Sequence, residues 1–366
     1  MLNRFRAALL APVLLLTACG SAEPGRAQVA AVQPGQDLGQ SPRAATTGLD
    51  PALLRSALDE AGRLPQLNAL IVARDGRTVA ERVYDGPGLD TPVNIKSASK
   101  SVLAALAGVA IARGELTGLD QRVAPVLGPR VPAAADAEVA AITVEHLLSM
   151  RAGLQSTSGP NYGGWVSSRD WVASALSRPF VDRPGGRMIY STGTSHILSA
   201  TLARATGRST LALAREWLGE PLGISVPSWP ADPQGVYFGG NEMRLSPRAL
   251  LRFGELYRND GVAGGRRVLP EGWVEASWTK RATSPWSGGG YGLGWWIGEA
   301  RGHPIYFAWG YGGQMVYVVP SLGLTAVMTS DADQRSVDGH IQALHALVAD
   351  RLIPAAERGA GGAAGA

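Results

Sequence analysis

The amino-acid sequence predicts an α+β fold: one antiparallel sheet flanked by helices, with a mainly helical lobe inserted into it. Three observations carry this. Two strand-like runs stand close together at residues 67–73 and 78–84. Four more follow only after residue 290. Between the two groups, to about residue 280, the chain reads as helix and loop. Early and late strands must share one sheet to bury their apolar faces, so the intervening chain hangs off that sheet as a second lobe.

The elements follow in order. Arg4 and Arg6 precede an apolar stretch at residues 7–18 that is too short to span a bilayer as a mature helix. It ends in Leu16-Thr17-Ala18-Cys19-Gly20. This resembles the lipobox of a bacterial lipoprotein signal peptide. That likeness implies cleavage before Cys19, lipidation of the cysteine, and anchoring to a cell-envelope membrane on its periplasmic or extracellular face. An ordinary secretory signal with an incidental cysteine is the alternative. Cys19 is the sole cysteine, so no intrachain disulfide is possible. Residues 19–47 are rich in Ala, Gly, Gln, Pro and Ser without apolar periodicity, which reads as a flexible tether.

A globular domain is expected over residues 48–356. Asp50 and Pro51 open a helix as N-cap and first residue. The first two strand-like runs flank Asp75-Gly76 and read as a hairpin. Residues 97–112 are apolar almost all round and read as a buried helix, which begins the helical lobe of about 97–280. Residues 291–297, 305–309, 314–319 and 322–329 form an antiparallel meander. Residues 340–352 close the domain as a helix with one apolar face, and the Gly/Ala-rich tail at 357–366 is expected to be disordered.

Charge excludes one function class. The net charge of +4 falls to about +2 once Arg4 and Arg6 leave with the signal peptide, and no basic cluster is interleaved with aromatics. Nucleic acid binding has nothing to rest on.

The chemistry is concentrated around one serine. Of 34 Lys plus Arg, only Lys96, Lys100 and Lys280 are lysines. Two of them flank Ser97 in Asn94-Ile95-Lys96-Ser97-Ala98-Ser99-Lys100-Ser101. A chain that writes Arg wherever a cation will serve has kept Lys three residues after Ser97. Arginine cannot release its proton in a protein, whereas a desolvated ammonium can be neutral near neutral pH. Residues i and i+3 share a helix face, so Lys100 lies beside Ser97 at the mouth of a buried helix. Burial and the helix N-terminus both disfavour its charge. Ser-x-x-Lys is the pattern of a serine nucleophile with a lysine base. The bland reading is a Ser and a Lys on an exposed helix face.

Three stretches carry a resemblance: Ser97-Ala98-Ser99-Lys100, then Ile142-Thr143-Val144-Glu145-His146-Leu147-Leu148-Ser149-Met150-Arg151-Ala152-Gly153-Leu154, then Pro184-Gly185-Gly186-Arg187-Met188-Ile189-Tyr190-Ser191-Thr192. From about residue 50 to 355 the chain resembles the serine hydrolases of the class C β-lactamase and penicillin-binding-protein family, and its fold is expected to be β-lactamase-like. Residues 191–199, 229–235 and 308–314 suggest the branch that contains 6-aminohexanoate-dimer hydrolase and related esterases. The resemblance implies Ser97 as nucleophile, Lys100 as base and Tyr190 as proton shuttle. It also implies an oxyanion hole of the Ser97 and Tyr311 backbone N–H groups. No metal or cofactor is implied. The resemblance implies a small ester or amide as substrate.

The chain departs from the family pattern twice. Thr192 stands where the family has Asn, which puts recognition of a substrate amide in question. The third motif, Lys-Thr-Gly or His-x-Gly in the family, is Ala308-Trp309-Gly310 here. With no cation at its head, a substrate carboxylate would lack its partner. Trp309 offers an apolar wall instead. Thr192, Trp309, Gly310 and Tyr162 are therefore the expected substrate-lining residues. Trp165 and Trp171 line the cleft or cover the lobe, and Asn241 and Glu242 face the cleft from the insertion. His146, His196, His303, His340 and His345 are scattered and read as structural. Two rivals to an esterase or amidase stand: a penicillin-binding D,D-peptidase or β-lactamase, and a non-catalytic lipoprotein that uses the fold to bind an envelope partner.

Overall fold

The structure, a computed structural model, describes residues 48–333 and 339–361. The expected signal peptide, the tether with Cys19 and residues 362–366 lie outside the described residues. Helix α1 (Pro51–Ala61) starts where Asp50 accepts the Ala52 and Leu53 N–H groups. Strands β1 (Leu67–Arg74) and β2 (Arg77–Val83) form the expected hairpin. The remaining sheet strands all come late. They are β3 (Ala282–Thr283), β4 (Gly290–Tyr291), β5 (Trp296–Ala300), β6 (His303–Gly310), β7 (Gln314–Val319) and β8 (Leu324–Ser330). The eight strands are ordered β2-β1-β8-β7-β6-β5-β4-β3, every neighbouring pair antiparallel. Early and late strands share one sheet, as the pattern requires. The run expected at 291–297 is divided: Gly292 to Trp295 make a turn closed by the Gly292 N–H on the Trp295 carbonyl.

Strand residues alternate between two cores. Met315, Tyr317 and Val319 of β7 join an apolar cluster with α1 and the C-terminal helices α5 (His340–Leu347) and α6 (Ile353–Gly361). Val316 and Val318 face the other way, into a larger cluster with the helical lobe. That cluster holds α2 (Ser99–Ala112), α3 (Thr192–Thr206) and α4 (Pro247–Arg258). With both faces covered, β7 and β8 are buried at every position.

The lobe is mainly helical, as expected, with two short strand pairs beside its helices: Val93–Asn94 with Arg244–Leu245, and Val262–Ala263 with Arg266–Arg267. The first of these pairs ties the residues just before Ser97 to a late part of the insertion. One expectation is corrected: the chain after residue 356 remains helical to Gly361. Buried Ile353, Ala355 and Ala356 give that helix an apolar face, and Glu357 pairs with Arg301 at 3.1 Å and His303 at 3.3 Å.

Candidate active site

Ser97 lies in a single 3₁₀ turn, Lys96–Ala98, that leads into α2. The turn is fixed by local bonds. Asn94 Oδ1 accepts the Lys96 N–H at 2.9 Å, and Ser99 Oγ donates to the Lys96 carbonyl at 2.5 Å. The Ile95 N–H donates to the Met243 carbonyl at 2.9 Å. Lys96 itself has φ +49, a left-handed conformation that a side-chain-bearing residue adopts at some energetic cost. The strained residue thus sits directly before the serine. From the sheet, the end of β6 comes close: a Cβ at Gly310 would lie 2.2 Å from the Ile95 carbonyl oxygen. Only glycine permits that approach.

Lys100, the second residue of α2, is 4 % exposed. Its Nζ lies 3.0 Å from Ser97 Oγ and donates to the Gly240 carbonyl at 2.6 Å. It also stands 4.9 Å from the centre of the Tyr190 ring. Burial pushes its pKa down from 10.5 to about 7. Burial pushes the Tyr190 phenol up to about 12, with the Ser97 hydroxyl holding it down slightly. Below pH 12 the site therefore holds a protonated phenol, and above about pH 7 a neutral amine, both next to one serine hydroxyl. A neutral amine can take a proton and a phenol can give one.

Ser97 and Tyr190 open onto a cavity of about 350 Å³. Its walls are Trp286, Trp296, Trp309, Tyr311 and Ile341, with Gly312. The Tyr190 ring stacks on Trp296 at 5.9 Å and meets Trp286 edge-on at 5.9 Å. None of these side chains is charged. The cations nearest in sequence are otherwise engaged: Lys100 points at Ser97, and Lys96 pairs with Glu242 at 3.7 Å and Asp333 at 3.9 Å. Glu242 also accepts from Asn94 at 2.7 Å, so the insertion meets the nucleophile turn there, while neither Asn241 nor Glu242 lines the cavity.

Three residues expected at the substrate surface stand elsewhere. Thr192 is 4 % exposed and its hydroxyl bonds Ser158 at 3.0 Å, because α3 begins at this residue and the pair closes its first turn. Gly310 is buried under the Ile95 carbonyl. Tyr162 stacks on Phe238 and takes a bond from Asn241 Nδ2 at 2.9 Å, on the lobe side. Trp165 and Trp171 are buried around His196 and belong to the lobe core.

Sequence reading missed Trp286, Trp296, Ile341 and the Gly240 carbonyl. Trp296 had a signal: Trp295-Trp296 enters a strand, where neighbours face opposite ways, and Trp295 is in the lobe core. A backbone carbonyl has no residue type to read. A second Ser-x-x-Lys, Ser277 to Lys280, is also present. Its helix, Trp273–Trp278, ends before the lysine. Ser277 is wholly buried and Lys280 is exposed, so the two do not meet as Ser97 and Lys100 do.

A family profile described as Beta-lactamase matches residues 56–350. The chain is 25 % identical over 295 residues to 6-aminohexanoate-dimer hydrolase of Paenarthrobacter ureafaciens, covering 72 % of this chain and 74 % of that protein. Among solved structures it is similar to EstCE1, a hydrolase with promiscuous acyltransferase activity. That match has TM-score 0.66 and 18 % identity, and covers 83 % of this chain and 97 % of the other. It is also similar to a D-stereospecific amidohydrolase from Streptomyces sp., with TM-score 0.63, 21 % identity, and 81 % and 98 % of the two chains covered. Matching over most of its globular length, the chain belongs to the β-lactamase family and is a serine hydrolase.

Proposed function

We propose that the protein is a cell-envelope hydrolase, lipid-anchored at Cys19, that cleaves neutral esters or amides through an acyl-enzyme on Ser97. One observation carries the chemistry: a buried lysine, neutral above about pH 7, holds its Nζ 3.0 Å from the serine hydroxyl. Lys100 Nζ takes the Ser97 proton as Oγ bonds to the substrate carbonyl carbon. The backbone N–H groups of Ser97 and Tyr311 receive the oxyanion. The tetrahedral intermediate collapses, the bond to the leaving oxygen or nitrogen breaks, and that atom leaves with a proton delivered through Tyr190. Lys100 in turn replaces the Tyr190 proton. Water then adds to the acyl carbon, giving a proton to the same pair, and Ser97 Oγ departs with one.

The cavity sets the substrate class. Its walls are aromatic and aliphatic, and the family's third-motif cation is replaced by Ala308-Trp309. A substrate carboxylate there would be desolvated without a partner, at a cost of several kcal/mol. Neutral substrates with an apolar group fit. The same feature disfavours the β-lactamase and D,D-peptidase reading.

The test is a screen of the purified globular domain, residues 48–366, against p-nitrophenyl esters, short linear amides and a chromogenic β-lactam, with Ser97→Ala as control. Ester turnover that Ser97→Ala abolishes, and little or no β-lactam turnover, is expected. A β-lactam hydrolysed as fast as a short ester would put the β-lactamase reading in its place. No turnover and no covalent adduct on Ser97 with a fluorophosphonate would favour the non-catalytic reading.

A further inference from the structure

Two stretches that stand out in the sequence, residues 191–199 and 229–235, take no part in the chemistry above. Each contributes one member of a buried pair. His196 on α3 and Asp232, in the loop between α3 and α4, both have fully buried side chains, joined Nε2 to Oδ2 at 3.0 Å. The backbone N–H of Gly239 reaches His196 Nδ1 at 3.2 Å. A backbone amide can only donate, so Nδ1 is unprotonated and Nε2–H is the donor to Asp232. Burial holds the His196 pKa below its ordinary value, so the ring is a neutral imidazole in one tautomer. Asp232 is held in its turn: Oδ1 accepts the Gln234 and Val236 N–H groups at 2.9 and 2.8 Å. Arg130 lies 3.7 Å from Oδ2.

The segment this pair grips ends on the lysine. Gly239 precedes Gly240, whose carbonyl receives Lys100 Nζ at 2.6 Å. Gly240 has φ +75, and a Cβ there would lie 2.7 Å from Lys100 Cγ and 2.6 Å from Ser195 Cβ. The backbone is thus laid against both the lysine and the start of α3. The residues before it are tied as well. Ser199 Oγ donates to the Tyr237 carbonyl at 2.7 Å, and Trp229 Nε1 to the Phe238 carbonyl at 3.0 Å.

The consequence follows from the valence of a neutral amine. It has two N–H bonds and one lone pair, and the lone pair must face Ser97 Oγ to take its proton. An N–H bound to a fixed carbonyl stops rotation about Cε–Nζ. We propose that His196 is a positioning residue, its tautomer fixed by Asp232: it holds the Gly239–Gly240 peptide so that the Gly240 carbonyl turns the Lys100 lone pair toward Ser97. This rests on Lys100 being the base.

Asparagine and glutamine separate the two contacts of the imidazole. In His196→Asn the amide oxygen takes the place of Nδ1 and keeps the acceptor for the Gly239 N–H. In His196→Gln the longer side chain keeps the donor to Asp232 and leaves that N–H bare. Both are made in the residue 48–366 domain and assayed on p-nitrophenyl acetate. Active sites are counted by fluorophosphonate labelling carried to completion. We expect His196→Asn to keep kcat per labelled site within about threefold, and His196→Gln to lose about tenfold or more, with KM within about twofold in both. Equal kcat per labelled site in the two variants overturns the proposal, as does a loss confined to KM or to the number of sites. If neither variant folds, Trp229→Phe decides, since it removes only the indole N–H on the Phe238 carbonyl. A loss of about threefold or more in kcat at constant KM is expected there, and an unchanged kcat overturns the proposal. Failure of the base assignment would show separately, as activity retained by Lys100→Met in the otherwise unaltered protein.

Discussion

Desolvation takes Lys100 from an ordinary 10.5 to about 7, and this has consequences for both stability and rate. The unfolded chain keeps the lysine proton up to its ordinary value, while the folded protein releases it near 7. Between those values the unfolded state binds more protons, so the folded state gains stability as pH rises through that window. Below about pH 7 the full penalty of a buried charge applies. Lys100→Met removes the group, so it should be more stable than the parent at pH 6, with the advantage shrinking towards pH 9. Urea midpoints at several pH values measure this, and parallel slopes for the two proteins would discount burial as the cause. For activity, kcat/KM should rise through about pH 7 and then hold to pH 10, because Tyr190 keeps its proton to about 12. Lys100→Arg keeps the charge and cannot act as a base, so it should lose activity nearly as fully as Lys100→Ala. Retention of more than about a tenth of kcat, a loss under ~1.4 kcal/mol, would exclude proton transfer by Lys100.

In the proposed reading, one element, strand β6, sets the substrate class. Its side chains alternate: Ala308 is buried in the lobe-side core, Trp309 walls the cavity, and Gly310 passes under Ile95. A restored family cation could stand at Ala308 or Trp309, and the alternation selects 309. Trp309→Lys should raise activity on a carboxylate-bearing ester relative to its neutral analogue by about tenfold, read as the ratio of kcat/KM values. An unchanged ratio would mean that the cavity wall does not set the preference. The Ser97–Lys100 pair was legible because its members are one helical turn apart and apolar neighbours signal burial. The hairpin and the meander were legible because period-two runs and turn residues are local. Tyr190 came only through the resemblance. What the sequence hid is non-local: the Gly240 carbonyl reaches Lys100 across 140 positions, and Trp286 and Ile341 meet at the cavity from separate elements. Thr192 was misplaced because the first residue of α3 and a cleft position look the same in one dimension.

The sheet and the helical lobe share one core. Trp171 and Leu202 of the lobe belong to the same apolar cluster as Ile71, Val316 and Val327 of the sheet. Neither part can open without exposing the other, so urea unfolding curves from far-UV circular dichroism and from tryptophan fluorescence should coincide. Two separated transitions would mean that the lobe is an independent folding unit. The two ends of the domain are joined as well: the Asp50 N–H donates to the Ala355 carbonyl at 2.8 Å, and Gly359 lies against Gly48. The described chain therefore returns to its own starting point, and its fold is a nearly closed ring that happens to be cut there. A short linker from 361 back to 48 would close the ring, and the cut could be moved to the exposed Gly264–Gly265 turn, far along the chain from Ser97.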